Sequence, residues 1–77
     1  MPAVILSGGF RIMIFTRDHE PMHVHVYRQG RKAVIEFAPE VRVRENHGLT
    51  RHEVRQAVLL VTDNQEYLIS RWRKIYG

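Results

Sequence analysis

The sequence predicts an α+β fold: a small, mainly antiparallel sheet of four to five strands with one long C-terminal amphipathic helix packed on one face. Three observations predict it. Residues 3–45 are short apolar or alternating runs separated by turns bearing glycine or proline. Thr50 and Glu53 then form a helix-start signature. Beyond it, Val54, Ala57, Val58, Val61, Leu68, Trp72 and Ile75 recur at steps of three and four. Residues 1–77 read as one domain, with the sheet over 3–45, the helix over about 51–75, and no linker, repeat or low-complexity tract between them.

Each element has a local cause. Val4-Ile5-Leu6 is a first strand ended by Ser7-Gly8-Gly9, where two glycines supply the positive φ of a tight hairpin. Phe10 to Phe15 is a second strand, with Phe10, Ile12 and Ile14 on one face and Arg11, Met13 and Phe15 on the other. Thr16 to Met22 is a polar loop stiffened by Pro21. His23 to Tyr27 alternates, with Val24 and Val26 on the core face and His23, His25 and Tyr27 opposite. Gln29-Gly30 reads as a two-residue turn, and Lys32 to Ala38 as the return strand. That turn sets a register in which Arg28 faces Arg31, Val26 faces Ala33, Val24 faces Ile35, His25 faces Val34 and His23 faces Glu36. Pro39 breaks the strand, Val41 to Arg44 forms a short charged edge, and Glu45-Asn46-His47-Gly48 is a loop. Thr50 caps the helix and Leu49 precedes it as a staple. One helix from about Arg51 to Ile75 is expected, with a break near Asp63-Asn64 as the alternative. Unbroken, it would run roughly 37 Å against about 20 Å for the strands and overhang the sheet.

Composition narrows the function classes. No cysteine is present, so disulfides and thiolate metal sites are excluded, and a reducing cytoplasm suits the chain. No apolar run approaches the roughly 20 residues of a membrane span, and the N-terminus lacks the pattern of a signal peptide. The net charge is +4, and ten of the twelve cations are arginine, which favours bidentate contact with phosphate or carboxylate. Such a balance fits RNA, an acidic protein partner, or solubility alone.

The chemistry-bearing stretch is Asp18-His19-Glu20-Pro21-Met22-His23-Val24-His25, which holds three of the five histidines. One reading is a metal-independent endoribonuclease. Here His23 and His25 supply acid and base, Glu36 orients His23, His19 and Asp18 complete the catalytic set, and Arg28, Arg31, Arg42 and Arg44 contact RNA. A second is a zinc or other transition-metal site on His19, His23 and His25, whose spacing matches no strong local zinc signature. A third is structural, with the histidines on a wet strand face and Asp18-His19 building a turn. His47 and His52 read as exposed polar positions. The cations of Arg71-Trp72-Arg73-Lys74 complement the helix dipole. Trp72, on the apolar stripe, reads as a core residue or, with the C-terminal half of the helix, as the anchor of a homodimer.

The motif Asp18-His19-Glu20-Pro21-Met22-His23-Val24-His25-Val26 resembles the D-H-x-P-P-H-V-H-V pattern of domain-of-unknown-function family 4160, small bacterial and archaeal proteins. Gly8-Gly9-Phe10-Arg11, Asn46-His47-Gly48-Leu49-Thr50, Asp63-Asn64-Gln65-Glu66 and Arg71-Trp72 extend the likeness over nearly the whole chain. Met22 departs from it, standing where the family usually has a second proline. The resemblance implies a toxin–antitoxin-type protein, paired with a cognate small protein from the same operon. The competing expectation is a non-catalytic interaction module that regulates that partner.

Overall fold

The computed structural model describes residues 4–15 and 20–76. Its elements are β1 (Val4–Ser7), β2 (Phe10–Met13), β3 (His23–Arg28), β4 (Arg31–Glu36), β5 (Arg42–His47), α1 (Arg51–Asp63) and α2 (Gln65–Tyr76). The five strands form one antiparallel sheet in the order β1-β2-β3-β4-β5, so each strand pairs with its neighbour in sequence.

The hairpins follow from their turns. Gly8 and Gly9 have φ of 56° and 83°, and Ser7 pairs with Phe10. Gln29 and Gly30 have φ of 50° and 77°, the positive pair whose twist matches a right-handed hairpin. The β3–β4 register is the expected one, from Arg28 opposite Arg31 to His23 opposite Glu36. β5 runs through His47 and so takes in three residues expected to be loop. A bulge explains the difference. Val34 pairs with Glu45 and Ile35 with Val43, which leaves Arg44 as an extra residue and breaks the simple Arg42/Arg44 alternation.

The core lies between one sheet face and the helices. Phe10, Ile12, Ile14, Val24, Val26, Ile35 and Phe37 meet Ala57, Val61, Leu68 and Trp72. The start of α1 is the expected capping box: Thr50 Oγ1 accepts from the Glu53 amide at 3.1 Å, and Glu53 Oε1 accepts from the Thr50 amide at 2.9 Å. The expected single long helix is two, and the break falls where the alternative put it. α1 stops at Asp63, and Asn64 leaves helical geometry with φ −113° and ψ 16°. The Asn64 side chain donates to the Leu60 carbonyl at 2.8 Å, a local bond that competes with the helical ladder. Its own carbonyl accepts from the Leu68 amide at 2.9 Å and restarts the helix. Gln65, which interrupts the apolar stripe, donates to the Phe37 carbonyl at 2.6 Å just beyond β4. No helix among the described residues is long and apolar enough to cross a membrane.

Candidate functional site on the outer sheet face

Alternation sends half of each strand's side chains away from the helices. On β3 these are His23, His25 and Tyr27. Cross-strand pairing lines them up in rows. His23 faces Glu36, which faces Arg42. Met13, His25, Val34 and Glu45 form the next row, and Leu6, Arg11, Tyr27 and Lys32 the third.

His23 and His25 come together, with ring centroids 5.3 Å apart. Their surroundings differ. His25 is half-buried, and its ring lies 4.6 Å from that of Phe15. His23 is only 7% exposed, although alternation puts it on the face away from the core. Trp72 lies against it, its ring 5.7 Å from His23 and 6.1 Å from core-side Phe37. Trp72 also stacks on Tyr76, whose hydroxyl donates to the Phe15 carbonyl. Position 23 is the first of β3, so the indole can touch both faces there. His23 Nδ1 lies 2.8 Å from the Pro21 carbonyl, which can only accept, so Nδ1 carries the proton. In neutral His23 the basic nitrogen is therefore Nε2.

Asp18 and His19 lie outside the described residues, and so does any three-histidine metal set that includes His19. Among the described residues, no group of three His, Asp or Glu side chains converges as metal ligands. Glu36 stands across from His23 as expected and accepts from Arg42 at 3.2 Å.

The four arginines expected to contact RNA separate. Arg42 and Arg44 are exposed on the edge strand. Arg28 and Arg31 instead share the helix-side face and bind one carboxylate. Arg28 Nε donates to Glu53 at 3.0 Å, and Arg31 donates through Nη1 and Nη2 at 2.6 and 2.9 Å. Arg28 also donates to the Gly8 carbonyl at 2.5 Å and lies over the Phe10 ring. The Arg31 bonds first, and the bond from the Thr50 amide next, hold the Glu53 carboxyl down at about 2. The signal was in the sequence: Arg28 is in phase with core residues Val24 and Val26. His47 bonds Glu45 at 2.8 Å and draws that carboxyl below its usual range. His52 is exposed. Trp72 is 3% exposed within the single chain. A cleft of about 660 Å³ lies on α2 between Glu66, Ile69, Ser70, Arg73 and Lys74, and no histidine lines it.

The sequence reading missed the row Arg11–Tyr27–Lys32. Its Tyr27–Lys32 half follows from the Gln29-Gly30 turn. The Arg11–Tyr27 half depends on the β2–β3 connection, whose length does not set a register.

Neither a curated protein nor a solved structure matches the chain. A family model does match, over residues 9–73, a span that takes in both histidines, the Arg28–Arg31–Glu53 cluster and Trp72. The chain therefore belongs to the family described as Domain of unknown function (DUF4160).

Proposed function

We propose that the chain is the RNA-directed member of a toxin–antitoxin-type pair and acts as a metal-independent endoribonuclease. The observation that carries the reading is the histidine pair on the sheet face away from the helices, one ring anchored and the other half-exposed 5.3 Å away. His25 is the general base. It takes the 2′-hydroxyl proton as that oxygen attacks the adjacent phosphorus. The 5′-oxygen leaves with a proton from His19, four positions before His23 in the chain. The products are a 2′,3′-cyclic phosphate and a 5′-hydroxyl. His23, held by Pro21 and Trp72, is a positioning residue for His25. Arg42 supplies positive charge at the edge of the same face. The cognate small protein neutralises the activity by covering that face.

The test is RNA cleavage by purified protein in EDTA, wild type beside His25→Ala, with far-UV circular dichroism to verify the fold. Cleavage by the wild type that falls about 100-fold or more in the variant is expected. Intact RNA with the wild type would overturn the nuclease reading. Cleavage abolished by EDTA and restored by zinc would replace it with the metal reading on His19, His23 and His25.

A further inference from the structure

We infer that single-stranded RNA crosses the sheet face away from the helices along the row Arg11–Tyr27–Lys32, with a base stacked on Tyr27 and phosphates on the two flanking cations. This deepens the RNA-directed reading above and rests on it. Three observations carry the inference. The row is built by register: Arg11 pairs with Tyr27, and Tyr27 with Lys32, on three adjacent strands about 4.8 Å apart. A phenol ring therefore sits between two cations within roughly 10 Å.

The second observation is how the chain's cations are used. Arg28 and Arg31 are tied to Glu53, and Arg42 to Glu36. Arg11 and Lys32 are both exposed and enter no side-chain hydrogen bond or ion pair among the described residues. The face thus retains positive charge where the ring is. Among the described residues its acids are in adjoining rows, Glu36 bonded to Arg42 and Glu45 to His47, with Lys32 exerting a weaker pull on Glu45.

The third is the aromatic ground. Tyr27 is half-buried and meets Phe15 edge-on at 6.5 Å, and Phe15 in turn meets His25. A base on Tyr27 is therefore one ring removed from the ring beside His25. Aromatic stacking needs an unstacked base, which a single strand offers and an A-form duplex hides. Cations flanking the ring follow the backbone on either side. An acidic protein would use the cations but has no base to lay on Tyr27.

The experiment is fluorescence anisotropy of a labelled oligo(U) strand, and of a labelled RNA duplex, with the full chain carrying His25→Ala so that the probe stays whole. Tyr27→Ala is expected to weaken single-strand binding about 5- to 150-fold, and Tyr27→Phe to keep it. Arg11→Ala and Lys32→Ala are each expected to reduce the salt slope by about 0.7. Arg73→Ala, on the outer side of α2, serves as a charge control and is expected to leave the slope unchanged. No measurable oligo(U) binding, equal losses from Arg73→Ala and Arg11→Ala, or an unchanged affinity in Tyr27→Ala would each overturn the inference. So would row variants that spare RNA and lose a co-purified protein partner. Binding through the row without cleavage by the wild type would leave the inference standing and remove the nuclease reading. Cleavage that ignores Tyr27 would do the reverse.

Discussion

Replacing Trp72 by alanine tests whether the indole belongs to the core or anchors a second copy. The ring is 97% removed from solvent within one chain and touches His23, Phe37 and Tyr76. Truncating a buried tryptophan costs about 3–5 kcal/mol in transfer and cavity terms. A chain of 77 residues has about 4–12 kcal/mol of total stability, so the variant forfeits a quarter or more of it. At about 4–8 °C per kcal/mol, the melting temperature should fall by about 12–40 °C. Trp72→Phe keeps a ring against Phe37 and His23 and should lose only about 1–2 kcal/mol. The assay is thermal melting followed by far-UV circular dichroism at two protein concentrations tenfold apart. A core residue gives drops that do not depend on concentration. A melting temperature within about 4 °C of wild type for Trp72→Ala, or a wild-type value that rises with concentration while the variant's does not, would refute the packing argument.

Two further predictions concern the contacts that tie turns to helices. Glu53 titrates near 2 in the folded chain against an ordinary 4.5, so its stabilisation is complete above pH 4.5 and is lost as pH falls toward 2. Glu53→Gln should flatten the acid limb of a stability–pH curve measured by urea denaturation, and an unchanged limb would show that Arg31 does not hold the carboxylate. At Gly9, with φ 83°, an added Cβ would meet Arg28 Nη1 at 2.3 Å; at Gly8 it would meet nothing within 4 Å. Both alanine variants carry the left-handed strain of about 1–2 kcal/mol, but Gly9→Ala should lose about 1 kcal/mol more by displacing Arg28. Equal urea midpoints for the two would count against that contact.

Much of the sheet was legible because its determinants are local. Gly8-Gly9 and Gln29-Gly30 set two hairpins, and the second fixes which side chains oppose His23 and His25. Thr50 and Glu53 marked the start of α1 for the same reason. What escaped the sequence depends on contacts between distant segments. The apolar stripe keeps its phase through Asn64, so periodicity could not reveal that its side chain would turn back to Leu60. The bulge at Arg44 is a mismatch between two strands and has no signature in either. Alternation put His23 on the outer face but could not show that Trp72, 49 positions later, covers its ring. Arg28 and Arg31 were in the core phase, yet their charge suggested an outward role until Glu53 appeared beneath them.

The nearest-neighbour order of the sheet also bears on how the chain reaches its fold. Each strand closes on the one made just before it, through two-residue turns at β1–β2 and β3–β4. Loop-closure entropy is small for such pairings, which places the sheet among topologies that form quickly. The distant ties span far more chain: 28 positions from Gln65 to Phe37, and 61 from Tyr76 to Phe15. Their closure costs more entropy, and they are expected to form after the sheet pairings. Tyr76→Phe, which removes the tie to Phe15, should then raise the unfolding rate more than it lowers the folding rate in stopped-flow measurements. On that expectation the end of α2 beside His23 acts as a latch on the native state's lifetime.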